Sequence, residues 1–142
     1  MDKTKYGKNI ITNINGIEMR DGKVAFNGII IRPEQLGTAC QVLYSVVKKP
    51  EVNESVPHIH DFPIIMCFFG ANPDNTLDFD AEIEFTMGGE KHVINTPAVI
   101  SVPAGLDHCP LVFKRVSKPI VWVEIHLTTK YTRRYLGEKE AR

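Results

Sequence analysis

Short extended runs cut by turn residues dominate this chain, and they leave little room for helices. Residues 83–87 (Ile-Glu-Phe-Thr-Met) alternate apolar and polar, as a half-buried strand must. Gly88-Gly89 follows at once and 90–94 returns in an extended pattern, which makes a hairpin. Further runs rich in Val, Ile, Phe and Tyr span 24–31, 39–47, 56–60, 64–69, 99–102, 111–116 and 120–127. The 9 prolines fall largely between or at the edges of these runs, where they would interrupt any long helix. Asn-Pro-Asp-Asn marks 70–80 as the clearest loop. Short helical turns are expected at 33–36, opened by Pro33 and closed by Gly37, and after Thr129. Many short strands at this spacing imply an all-β sandwich or barrel.

Size and charge narrow the partners. A chain of 142 residues fits one domain, without internal repeat or linker. With 17 Lys+Arg against 17 Asp+Glu it has no electrostatic footprint for nucleic acid or anionic lipid, so the expected partner is a small molecule, a metal or a second copy. No apolar run reaches the roughly 18 residues of a membrane span, and the N-terminus has no apolar signal core. Cys40, Cys67 and Cys109 are odd in number and scattered, as in a reduced cytoplasmic protein. Cys109 follows a histidine and is a minor candidate for a reactive thiol.

The histidines carry the chemistry. His58 and His60 lie on one predicted strand with one residue between them, so alternation sends both imidazoles to the same face, where one cation can be chelated. A lone HxH is also what a surface histidine pair looks like. About fifty residues on, Pro103-Ala104-Gly105-Leu106-Asp107-His108 makes a tight turn that can bring His108 to face the pair. In the last strong strand, Trp122, Glu124 and His126 share one face and Val121, Val123, Ile125 and Leu127 the other. The expected arrangement packs the aliphatic face inward and leaves Trp/Glu/His to solvent or a subunit interface. The opposite orientation would bring Glu124 and His126 into the barrel as a substitute ligand or general acid/base. Glu82, Glu84, His92 and Asp61 read as surface residues, as do Lys114, Arg115 and Arg32 unless an anionic ligand engages them. Phe62, Ile64, Met66, Phe68, Phe85, Met87 and Phe113 read mostly as core.

HxH followed by PxGxxH in a strand-rich chain resembles the cupins, through His58, His60 and Gly70 in the first motif and Pro103, Gly105 and His108 in the second. The resemblance covers about 40–127, with 8–31 as added N-terminal strands and 129–142 as a polar tail that frays. It implies a double-stranded β-helix, that is, a jelly-roll barrel, with a divalent metal held by His58, His60 and His108 in the barrel mouth. The family's glutamate falls at 64 or 65, both isoleucine here, and Pro97 and Val112 stand where its glycine and asparagine fall. Three neutral ligands leave a bound cation more net charge and an open position. Such a donor set suits Fe, Mn, Ni, Co, Cu or Zn rather than Mg or Ca. Two functions follow: a small-molecule metalloenzyme of dioxygenase, isomerase or lyase type, or a non-catalytic protein that binds a metal or small ligand and regulates or stores. A homodimer is expected, formed through an N-terminal strand or the outer face of one sheet.

Overall fold

The computed structural model describes residues 4–14 and 16–136, with the backbone alone described for 18–20 and 23–26. A 3-10 turn (Gly7–Asn9) precedes the strands β1 (Ile17–Arg20), β2 (Lys23–Asn27) and β3 (Ile29–Ile31). A single helical turn, α1 (Pro33–Leu36), leads to β4 (Gln41–Val47), β5 (Glu51–Glu54), β6 (His58–Ile59) and β7 (Ile64–Gly70). The chain continues through β8 (Ala81–Met87), β9 (Glu90–Ile94), β10 (Ala98–Val102), β11 (His108–Val116), β12 (Ile120–His126) and β13 (Arg134–Tyr135). β1 and β2 form their own hairpin.

The other strands make two antiparallel sheets, one in the order β10-β7-β12-β4-β3 and one in the order β13-β6-β11-β8-β9, with β5 also paired to β11. Their inner faces meet in one core in which Phe68, Ile83, Phe85, Phe113 and Ile120 are fully buried. The expected all-β fold is therefore present, as are the turn at Pro33 and the 88–89 hairpin. At α1 the Gln35 side chain accepts from the Arg32 N–H at 3.0 Å, and Gly37 takes the left-handed φ of 66° that ends the turn. Two expectations need correction. The run at 24–31 breaks at Gly28 into β2 and β3. No helical turn forms after Thr129 among the described residues; β13 forms instead and pairs with β6, Arg134 opposite Ile59 and Tyr135 opposite His58.

The barrel is polarised along its length. The inner face of β12 reads Ile120, Trp122, Glu124, His126, and that of β4, running antiparallel beside it, reads Val47, Ser45, Leu43, Gln41. One end is thus filled with hydrocarbon, and the other gathers buried polar side chains around a cavity. This gradient places the site at the end where burial is incomplete and polar groups can be satisfied.

Candidate metal centre

Three strand ends deliver three imidazoles to one point. His58 opens β6, His108 opens β11, and the two stand directly opposite in the antiparallel register. His60 follows one residue beyond β6, where the Gly105 N–H donates to its carbonyl at 2.9 Å and fastens the Pro103–Gly105 turn to the HxH segment. Gly105 has φ 85°, so this turn needs glycine. The rings of His58 and His108 lie 4.6 Å apart by centroid, His58 and His60 4.9 Å, and His60 and His108 5.0 Å. One ligand atom from each lies within 4.8 Å of the other two, and all three residues are buried.

The Nδ1 atoms fix which nitrogen is free. Each Nδ1 donates to a backbone carbonyl: His58 to Val56 at 2.9 Å, His60 to Thr132 at 2.8 Å and His108 to Leu106 at 3.0 Å. The proton is thereby held on Nδ1 and the Nε2 lone pair is left for a ligand, the outer arrangement that metal-binding histidines use. Burial lowers the pKa of all three, that of His60 to about 3, because charged imidazolium is poorly solvated there. Neutral rings with directed Nε2 lone pairs are the form that binds a cation. The group can therefore hold a metal ion.

The Trp122, Glu124 and His126 face points into the barrel, contrary to the expected arrangement. Trp122 and His126 are buried, and both line the cavity with Glu124. The aliphatic face of β12 is the outer one. His126 does not join the ligand group, because both its nitrogens are engaged: Nδ1 with Gln41 Nε2 at 3.1 Å and Nε2 with Glu124 Oε2 at 2.9 Å. With the Gln41 amide donating to Nδ1, the imidazole proton sits on Nε2 and is donated to the Glu124 carboxylate. The ring of His126 lies 6.4 Å from that of His60, so this chain borders the histidine cluster.

The tail does not fray over 131–136. Tyr131 packs its ring 5.0 Å from His60 and 5.1 Å from His126, and Thr132 supplies the carbonyl that holds His60. Arg133 donates to Glu54 and to the Tyr131 hydroxyl, both at 2.8 Å. Burial raises the carboxyl of Glu54, but the Arg133 hydrogen bond and charge outweigh it and hold the pKa below the usual value. Burial pushes the Tyr131 hydroxyl up to about 12. The rest of the expected tail, 137–142, lies outside the described residues.

The cavity measures about 380 Å³, and besides these groups Ile64, Met66, Leu111 and Arg32 line it. Ile64 therefore contributes hydrocarbon to the cavity wall where the family resemblance would have supplied a carboxylate. Glu84 faces outward and pairs with Lys91 and Lys114, Arg115 pairs with Asp80, and Asp61 with Arg134, as expected of surface groups. His92 is exposed. Cys109 is buried at the cavity wall, where burial pushes its thiol up to about 12, so the reactive-thiolate reading fails. Gln41, Tyr131 and Arg133 were not singled out from sequence. The signal for Gln41 was available, since it is a polar residue in the inward phase of its strand.

No family model matches the chain, and no curated protein matches it by sequence. Solved structures do match. A protein from Acidithiobacillus ferrooxidans, provisionally assigned as a sugar phosphate isomerase, aligns over 97% of this chain and 94% of its own at 11% identity, with a TM-score of 0.54. An oxalate oxidase aligns over 77% of this chain, which spans 54% of the length of that one, at 11% identity and a TM-score of 0.50. A cupin protein from Bacteroides fragilis aligns over 92% and 91% at 11% identity, with a TM-score of 0.49. At these identities the likeness is one of fold alone, a jelly-roll β-barrel. Among the described residues no helix is long and apolar enough to cross a membrane.

Proposed function

We propose that this cupin-fold chain is a metal-dependent enzyme acting on a small molecule, with His58, His60 and His108 holding a divalent transition metal. The observation that carries the reading is the pairing of the two halves of the cavity wall. Three Nε2 lone pairs, each set by a carbonyl on Nδ1, face one point, and a carboxylate–imidazole–amide chain lines the wall beside them. A site for storage alone has no need of the second feature. Bound there, the cation would supply Lewis-acid polarisation of a chelating oxygen.

The chain's own residues would do the rest. Glu124 accepts the Nε2 proton of His126 and has its carboxylate in the cavity, so it is the group placed to take a proton from a bound ligand. Gln41 holds His126 in the orientation that serves Glu124. Trp122, Met66, Ile64 and Leu111 give the ligand a dry wall, and Tyr131 with Arg133 borders it on another side. Within the three expected reaction types this arrangement favours proton transfer, the isomerase or lyase type, over oxygenation. Fe, Mn, Co, Ni, Cu and Zn all remain compatible with the donor set.

Metal analysis tests the ligands. His58→Ala and His108→Ala should each purify with less than a tenth of the wild-type metal, and Glu124→Gln should keep it. Cobalt loaded into the apo protein should give visible absorption bands that the first two variants lose and the third retains. Unchanged metal in both alanine variants would remove the proposal. With the natural substrate, Glu124→Gln should lower kcat at least ~100-fold while leaving metal affinity intact.

A further inference from the structure

The three imidazoles are not held alike. The carbonyl that fixes Nδ1 of His58 belongs to Val56 and the one that fixes His108 to Leu106, each two residues back in the same segment. Nδ1 of His60 instead donates at 2.8 Å to the carbonyl of Thr132, 72 residues further along the chain. Two of the rings are therefore set by their own turns. The third is set by a separate piece of backbone, the strap 128–136, which leaves the barrel after β12 and returns to pair with β6.

The contacts of this strap converge on the HxH segment. Acidic residues stand on either side of the histidine pair, and the arginines of the strap meet them: Arg133 donates to Glu54 at 2.8 Å and Arg134 to Asp61 at 3.3 Å. The Tyr131 ring lies against His60, His126 and Phe62, with centroids 5.0, 5.1 and 5.9 Å away. Tyr131 and Arg133 both line the cavity, so the strap forms part of its wall. A two-residue strand and partly exposed ion pairs hold it less firmly than the seven-residue β12 is held between β4 and β7. Segments held this lightly open at a free energy well below that of global unfolding.

We propose that metal binding and docking of the 128–136 strap are coupled through the hydrogen bond from His60 to Thr132, with the Glu54–Arg133 pair as the latch. This coupling rests on the reading of His58, His60 and His108 as metal ligands. A cation on Nε2 draws electron density from the ring and makes Nδ1–H a stronger donor, so the bond to the Thr132 carbonyl tightens when the site is loaded. With the strap open, His60 loses the acceptor that fixes its tautomer and ring orientation, and only His58 and His108 keep theirs. The effect is reciprocal by linkage: the factor by which a docked strap tightens metal binding is the factor by which metal favours the docked strap. Opening also withdraws Tyr131 and Arg133 from the cavity wall, so one movement both loosens the third ligand and uncovers the cavity. The Thr132 carbonyl and Glu54 are thus positioning groups, acting on the ion through His60.

Trypsin and cobalt ion test the coupling on the full-length protein. Lys130, Arg133 and Arg134 are cleavage points within the strap, and the masses of the fragments report each of them. Saturating cobalt should slow cleavage there at least ~10-fold, the size of effect usual for coupled sites. Cleavage after the exposed Lys8 should not change, and Arg115 within β11 should stay uncut with or without cobalt, which marks the strap cleavage as local opening. Glu54→Gln releases the latch without altering a ligand. It should keep the visible cobalt bands but lose the ion to a chelator at least ~10-fold faster than the wild type. Glu84→Gln, which breaks ion pairs on the outer face of the other sheet, should lose it at the wild-type rate. Cobalt that binds with its bands yet leaves strap cleavage unslowed overturns the coupling and spares the metal reading. Equal release from Glu54→Gln and the wild type overturns the coupling as well. Absence of cobalt bands in the wild type overturns both.

Discussion

The buried histidine cluster should make the metal-stripped protein sensitive to mild acid, and His60 alone should account for a measurable share. Its pKa falls from 6.5 to about 3 on folding, chiefly through burial. Below pH 6.5 the unfolded chain takes up a proton that the folded chain refuses, so stability present above that pH is lost as pH falls toward the folded value. At pH 5 the unfolded imidazole is almost fully protonated and the folded one almost not at all, which costs about 2 kcal/mol relative to pH 7.5. That figure barely changes for any folded pKa below about 4, because at pH 5 it is the unfolded state that sets it. His58 and His108 are shifted in the same direction and add to the effect. The assay is urea unfolding of chelator-treated protein at both pH values, for the wild type and for His60→Asn. Asparagine keeps a donor near the Thr132 carbonyl that Nδ1 of His60 now reaches at 2.8 Å, and it does not titrate. Carboxylates that also lose stability in acid, such as Glu54 and Asp78, are common to both proteins and cancel. The wild type should lose about 2 kcal/mol more than the variant between the two pH values, or roughly 1 M in urea midpoint. Equal losses in the two proteins would show that His60 is not held neutral by burial, and with it the account of how the cluster stays ready for a cation.

Three further outcomes follow from local geometry. Gly70→Ala would place a Cβ 1.8 Å from the Asp78 carbonyl oxygen, a backbone clash no rotamer relieves, so thermal unfolding should show a loss of about 3 kcal/mol. Arg133→Met leaves the half-buried Glu54 carboxylate without its guanidinium and should cost about 1–3 kcal/mol in urea unfolding, whereas a neutral result would show the pair is solvated. Cys109, buried and held as a thiol, should resist a thiol reagent at neutral pH until the chain unfolds, and Cys40 should react first; rapid labelling of Cys109 in the native protein would contradict its placement.

What the sequence made legible, and what it hid, divides along one physical line. His58, His60 and His108 were readable because strand alternation and a glycine turn are local rules that tertiary structure seldom overrides, and the register then set His108 opposite His58. The orientation of β12 was not readable, because the rule that aliphatic residues turn inward assumes that water wets the other side. Here the polar side of the strand turns to a cavity and the aliphatic side turns outward. The inner side needs Gln41, Glu124 and His126 to satisfy one another around a cavity, and the outer side carries Val121, Val123 and Ile125 in an uncharged field. A strand with apolar residues outside and polar ones inside inverts the usual pattern of a barrel, and the inner polar side chains line the cavity. The tail misled for a related reason. Tyr131, Thr132 and Arg133 lie in a polar stretch that composition marks as loose, yet the Tyr131 ring packs against the core and the Thr132 carbonyl and Arg133 guanidinium hold His60, Glu54 and Tyr131. Glu51–Glu54 was missed in the same way, as a polar strand fixed by its pairing with β11 rather than by its side chains. The elements that sequence periodicity failed to find are thus the ones whose contribution is to complete hydrogen bonds for others. In this fold they surround the histidines, so the surroundings of the cluster had to come from the structure even where its three histidines could be read from the chain.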